Sequence, residues 1–166
     1  LPENLIPKTI IESYEIQNEL KLLYLSLNNN ICMGKKVGCT SKVAMQQCEV
    51  FEPFYGNLFS KYSDFSGCTL KHTKFFNPFI EPEISFKIKE DININDAPFI
   101  LQDAKYLFES ISPSIEIVDF RFGKNIKEIG INNLIATNGA SEFWIRGKKS
   151  HPLDSINFND HNIKMY

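Results

Sequence analysis

The sequence predicts an α+β fold, a mixed and mainly antiparallel β-roll or sandwich with helices packed on its outside. Three observations lead there. The 166 residues fit one domain, since single domains commonly run to about 100–200 residues. Residues 78–89 and 114–122 alternate apolar with polar side chains over long runs, the period of strands that bury one face. Several shorter segments with helical spacing are interleaved with those strands, the pattern of helices laid on an antiparallel sheet. Hydrophobic residues make up 43% of the chain and charged residues 23%, enough apolar surface to close a core, so a disordered chain is excluded.

Taken in order, Thr9-Ile10-Ile11-Glu12 matches a capping box, in which a hydroxyl and a carboxylate satisfy free N–H groups at a helix start. Tyr14, Ile16, Leu20, Leu23 and Tyr24 then recur at near-helical spacing until Asn28-Asn29-Asn30, which predicts a helix over 9–27. A short strand follows from Lys36 to Cys39, and Thr40 or Ser41 caps a helix reaching Gln47. Phe51 to Phe59, punctuated by Pro53 and Gly56, reads as an irregular aromatic loop. Pro78 to Lys89 is a strand. Ala97, Leu101, Ala104 and Phe108 mark a helix opening near Asp96 and Pro98. Ser112-Pro113 ends it, and Ser114 to Phe122 forms the second long strand. A helical segment over 124–135, a strand from Glu142 to Arg146 and a last strand at Ile163 to Tyr166 complete the expectation.

Lys and Arg total 18 against 20 Asp and Glu, a net charge of −2, so no basic face speaks for a nucleic-acid or anionic-membrane partner. Arg121 and Arg146 are the only arginines. No run approaches the roughly 18 apolar residues of a membrane helix and no leader precedes the fold, so a soluble, cytoplasmic protein is expected. Cys32, Cys39, Cys48 and Cys68 form no CxxC pair, which points to reduced thiols and neither a zinc site nor a disulfide framework.

Candidate chemistry lies on the two long strands. Residues two apart share a face, which groups Glu81, Glu83, Ser85, Lys87 and Lys89 opposite Ile80, Pro82, Ile84, Phe86 and Ile88. Such a polar face can simply be solvated, or Glu81 and Glu83 can hold a divalent metal that relieves their repulsion. Glu116 shares its face with Val118, Phe120 and Phe122, and a carboxylate among apolar neighbours needs a cation, a proton or a metal. A lysine partner and a metal both remain open. Together the three carboxylates make a hard-oxygen set suited to Mg²⁺ or Mn²⁺. Alternation through Gly34-Lys35-Lys36-Val37-Gly38 turns one lysine inward, where it can handle protons. His72, His151 and His161 sit in polar, loop-like contexts, and Trp144 and the Phe residues read as core.

Four segments in order, Gly34-Lys35-Lys36-Val37-Gly38-Cys39-Thr40-Ser41, Glu52-Pro53-Phe54-Tyr55-Gly56-Asn57-Leu58-Phe59, Ile80-Glu81-Pro82-Glu83-Ile84 and Ile115-Glu116-Ile117-Val118-Asp119-Phe120-Arg121, resemble the signatures of the 2-keto-4-pentenoate hydratase family. That family belongs to the fumarylacetoacetate hydrolase superfamily. Ala136-Thr137-Asn138-Gly139-Ala140-Ser141 resembles a further family segment. The resemblance implies a single hydratase-like domain over 1–166, fumarylacetoacetase C-terminal-domain-like, without N-terminal and C-terminal portions of the family fold and incomplete at its C-terminus.

It further implies that Glu81, Glu83 and Glu116 bind Mg²⁺ or Mn²⁺, that Lys36 is catalytic in proton transfer, and that Asn138 and Ser141 bind substrate. The substrate would be a small 2-oxo acid chelated by the metal, and the reaction hydration of a 2-hydroxy-2,4-dienoate to a 4-hydroxy-2-oxo acid. A homo-oligomer or a complementing chain would complete the protein. Two differences bear on this expectation. The family carries Pro-Asp-Phe-Gly where this chain has Pro53-Phe54-Tyr55-Gly56, and an Asp where it has Thr137. Since phenylalanine cannot transfer a proton, a 4-oxalocrotonate-type decarboxylase, or a catalytically impaired binding or scaffold subunit, stands as the alternative.

Overall fold

The structure is a computed structural model that describes residues 2–123, 126–158 and 164. The expected last strand, His161 and the first two residues of the expected 124–135 helix lie outside them, apart from Lys164. Helix α1 spans Ile10–Ser26, and its capping box is present: Glu12 N–H donates to Thr9 Oγ1 at 3.1 Å and Lys8 N–H donates to Glu12 Oε2 at 2.7 Å. The side it turns inward is not the apolar one. Ser13 and Gln17 are its buried residues, whereas Leu23 is 61% exposed. Gln17 explains this orientation, because its amide donates to the carbonyls of Tyr55 and Ile135 at 3.0 and 2.9 Å.

Strand β1, Cys32–Gly38, starts four residues before the sequence suggests. Helix α2, Lys42–Cys48, is capped by Ser41, whose hydroxyl accepts from Ala44 N–H. The expected aromatic loop is corrected: Phe54–Phe59 is strand β2, paired antiparallel with β1 so that Lys36 faces Gly56 and Lys35 faces Asn57. Its punctuating glycine lies inside a ladder, and that pairing is invisible to local reading.

The larger sheet contains β3 (Ser63–Phe65), β4 (Pro78–Ile88), β5 (Phe108–Asp119) and β6 (Ser141–Arg146), with the short β7 (His151–Pro152) beside β5. Its order is β3-β6-β5-β4, antiparallel except for the parallel pair β3–β6. The chain thus combines helices with mixed sheets, as expected.

The expected helix over 97–108 shrinks to α3, Ala104–Leu107, because β5 begins at Phe108 and runs straight through Pro113. Proline is tolerated there since its carbonyl still accepts the Gly147 N–H at 2.8 Å. Helices α4 (Ile126–Ile129) and α5 (Ile131–Ala136) follow.

Phe54, Val118, Ile129, Leu134, Ile135 and Ala140 form one core cluster, joining the β1–β2 ribbon, the large sheet and the paired helices. Trp144 is half-buried, with the guanidinium of Arg146 5.4 Å from its ring. Among the described residues no helix is long and apolar enough to cross a membrane.

Candidate metal centre

Sheet register builds the site. Glu81 lies opposite Glu116 and Glu83 opposite Ser114 on β5. Across β6, Trp144 faces Glu116 and Arg146 faces Ser114. On β3, Ser63 and Phe65 flank Trp144 and Arg146. Directly paired residues present their side chains on one face, so that face carries two rows across four strands. The first reads Glu81, Glu116, Trp144, Ser63, and the second Glu83, Ser114, Arg146, Phe65.

The two rows bring the three carboxylates together. One oxygen from each of Glu81, Glu83 and Glu116 lies within 4.8 Å of the others, and among the described residues no other cluster of acidic, histidine or cysteine groups has this geometry. At that spacing each carboxylate pair repels by roughly 3 kcal/mol at the effective dielectric of a partly buried site. Burial pushes the Glu81 carboxyl above its ordinary range, with Lys36 pulling it down and Glu116 pushing it up. Glu83 rises through burial first, then through the charges of Glu116 and Glu81, against Lys36. Glu116 is 4% exposed. Its Oε2 meets Lys36 Nζ at 3.3 Å, while its Oε1 is buried without a hydrogen-bond partner.

The sequence left two partners open for Glu116, a lysine or a metal. The structure supplies the lysine and still leaves an oxygen over. A hard-oxygen set with an orphaned carboxylate oxygen fits a divalent cation.

Lys36 reaches this site along a narrow path. A Cβ at Gly56 would sit 2.7 Å from the Asn138 carbonyl and 3.3 Å from Lys36 Cε, and one at Gly139 would sit 2.8 Å from both Lys36 Cε and the Phe54 ring. Gly139 also needs its φ of +64°, in a left-handed turn shared with Asn138 and Ala140. Alternation along β1 sends Lys35 the other way, where its Nζ donates to Asn57 Oδ1 at 2.6 Å.

Asn138 is buried and its amide is engaged with Asn57. Its Oδ1 accepts from Asn57 N–H at 2.6 Å and Nδ2 at 3.2 Å, and its Nδ2 donates to the Asn57 carbonyl at 2.9 Å. Ser141 opens β6 opposite Val118, and its carbonyl accepts from Arg121 at 3.5 Å. Among the described residues no hydrogen bond links either side chain to the three carboxylates. His72 and His151 are exposed and away from it.

Burial and a hydrogen bond to Cys48 push the Cys39 thiol up to about 12, which keeps it protonated in the metal-free protein. Sequence reasoning missed Gln17 and Asn57 as members of a buried amide network, although an Asn beside Gly56 in a strand was a usable signal. Of the phenylalanines expected in the core, Phe51 and Phe76 are exposed, but Phe54 is core. The ring is 6% exposed and Lys36 Nζ lies 5.5 Å from its centre.

The chain is similar to known hydratases and to a decarboxylase. No family model matches the chain. It is 29% identical over 152 residues to 2-hydroxyhexa-2,4-dienoate hydratase of Comamonas testosteroni, covering 90% of this chain and 55% of that protein. It is 29% identical over 137 residues to 2-keto-4-pentenoate hydratase of Paraburkholderia xenovorans strain LB400, covering 82% and 49%. Among solved structures, 4-oxalocrotonate decarboxylase from Pseudomonas putida G7, complexed with magnesium and adipate, superposes with a TM-score of 0.80 at 28% identity, over 89% of this chain and 54% of that one. The chain spans about half the length of the curated relatives it matches.

Proposed function

We propose that the chain, which is similar to 2-keto-4-pentenoate hydratases, is a metal-dependent lyase acting on small 2-oxo or 2-hydroxydienoic acids. The main reaction is hydration of a 2-hydroxy-2,4-dienoate to a 4-hydroxy-2-oxo acid. One observation carries this reading: the buried, unpartnered Oε1 of Glu116 inside a cluster of three carboxylates and a single ammonium. That cluster retains two negative charges, which Mg²⁺ or Mn²⁺ would match with oxygen ligands from Glu81, Glu83 and Glu116. When bound, such an ion supplies Lewis acidity to the carboxylate and 2-oxo oxygens of the acid. The magnesium and adipate complex of the Pseudomonas decarboxylase is a precedent for a divalent ion and a carboxylic acid on this fold.

The chain's own residues perform the rest. Glu116, anchored at the centre of the sheet, fixes the ligand set, and Glu81 and Glu83 close it from β4. Lys36 Nζ, beside Glu116, holds or delivers a proton to the acid bound next to it. Gly56 and Gly139 keep its stem on course. Phe54 walls the inner side of that path and excludes water, but it moves no proton.

Because Phe54 sits in the core, decarboxylation of a 2-oxo diacid is the second reading, since that reaction asks less of an acid at this position. Substrate contacts from Ser141 and Asn138, closure of the sheets into a β-roll, and completion by a second copy or another chain belong to the same proposal.

Calorimetric titration with Mn²⁺ tests it first, on the protein and on Glu83→Gln. A binding heat in the parent that is lost in the variant is expected, and equal heats overturn the metal site. Oxalate should then bind only with Mn²⁺ present. Turnover of 2-hydroxypenta-2,4-dienoate identifies a hydratase. Oxalate binding with no turnover of that dienoate or of a 2-oxo diacid identifies a binding subunit instead.

A further inference from the structure

We infer that Arg146 is an anion subsite beside the carboxylate cluster, so that the acid taken there carries a second carboxylate at its far end. This rests on the metal-chelated 2-oxo acid proposed above. Arg146 occupies the same sheet face as the cluster, in the row Glu83, Ser114, Arg146, Phe65. Its guanidinium carbon lies 4.2 Å from the centre of the Phe65 ring and 5.4 Å from that of Trp144. Ring contacts occupy the faces of a guanidinium and leave its edge donors for an anion.

Among the described residues those donors make no hydrogen bond or ion pair. Arg146 Nε is buried without a hydrogen-bond partner, and among the described residues Arg146 makes no ion pair. The other arginine behaves differently, since Arg121 is closed by an ion pair with Glu142. A buried donor on a fixed cation is unfavourable until an acceptor arrives. A carboxylate is the matching acceptor, because the guanidinium fork takes its two oxygens together.

Spacing supports a ligand that spans both groups. Arg146 stands two strands from Glu83, roughly 10 Å between backbones at the usual strand separation. Ser114 lies between them in the same row, and Trp144, beside Arg146 on its own strand and opposite Glu116, offers an apolar wall for a short carbon chain. Glu83 is exposed and Phe65 is 46% exposed, so this end of the face is open to an entering acid.

The test compares 2-oxoadipate with 2-oxohexanoate, acids of equal length that differ in the far carboxylate, by calorimetry on the Mn²⁺-loaded protein. The protein should prefer the diacid by roughly tenfold or more, the usual range for a charge-assisted hydrogen bond. Arg146→Gln should abolish that preference while leaving 2-oxohexanoate affinity unchanged, which also shows that the variant folds. Arg146→Lys, which keeps the charge without the fork, should retain part of it. Equal affinities in the parent, or an undiminished preference in Arg146→Gln, overturn the subsite but leave the metal-dependent function standing. Failure of both acids to bind in the presence of Mn²⁺ overturns both.

Discussion

The β1–β2 ribbon separates two buried polar clusters of opposite character. On the Lys35 side, Gln17, Asn57 and Asn138 pair with one another and with backbone carbonyls, and all three are buried. On the Lys36 side, Glu81, Glu83 and Glu116 repel one another, and one carboxylate oxygen has no partner. The first cluster is neutral and saturated, the second charged and incomplete. A saturated polar network fixes a fold, because any loss exposes its partners to an apolar interior. An incomplete one holds free energy that only a ligand can recover.

That contrast can be broken in four ways, in decreasing order of effect. Glu116→Gln removes the anchor of the charged cluster, and Mn²⁺ affinity should fall by more than about a hundredfold, past the 10–100-fold typical of outer-shell changes. Isothermal titration checks this, and retained affinity would show that Glu116 serves Lys36 alone. Asn138→Ala attacks the saturated cluster. It strands the buried N–H and amide of Asn57 and should lower unfolding free energy by about 2–3 kcal/mol in urea titrations, with Mn²⁺ binding unaffected. A metal defect without a stability loss would reverse the two roles.

Acidity sharpens the comparison further. Glu81 and Glu83 carry raised pKa values in the metal-free fold, so the folded state takes up protons more readily than the unfolded chain. Their contribution is fully favourable below the ordinary carboxylate value of 4.5 and is lost as pH rises through the raised values. Thermal unfolding with and without Mn²⁺ should therefore diverge as pH rises through that window, and a metal-induced shift independent of pH would contradict it. The smallest effect belongs to the exposed pair Lys87–Glu109, whose side chains are 65% and 48% exposed. Glu109→Gln should change stability by no more than about 0.5 kcal/mol in the same urea assay.

What could be read in advance followed the range of the interactions. The capping box at Thr9 and Glu12 and the inward turn of one lysine in Lys35-Lys36 depend on neighbours within four residues, and both were legible. So was the shared face of Glu81 and Glu83. Strand β2 was not, because Pro53 and Gly56 look like turn chemistry, yet Pro53 lies just before the strand and Gly56 pairs with Lys36 inside it. The helix expected over 97–108 failed for a related reason. Ser112-Pro113 reads as a breaker, yet a cross-strand bond from Gly147 carries the strand past it. The side that α1 buries was not legible, because Gln17 finds acceptors on residues 55 and 135, contacts that no periodicity reveals. Within the site, the carboxylates were visible as a pattern, but the orphaned oxygen and the aromatic seat of Arg146 exist only in three dimensions.

The placement of the ligands on β4 and β5 has a consequence for assembly. These strands pair antiparallel over nearly their full lengths and are consecutive in the large sheet, so all three carboxylates belong to a single hairpin. Lys36 arrives from a separate ribbon in the first third of the chain. The β4–β5 pair brings its three carboxylates together without the ribbon, whereas Lys36 must be docked from outside it. During folding, the cation cage can therefore form before the proton-handling group is in place, and an early-bound ion would act as a template on which the rest of the protein closes.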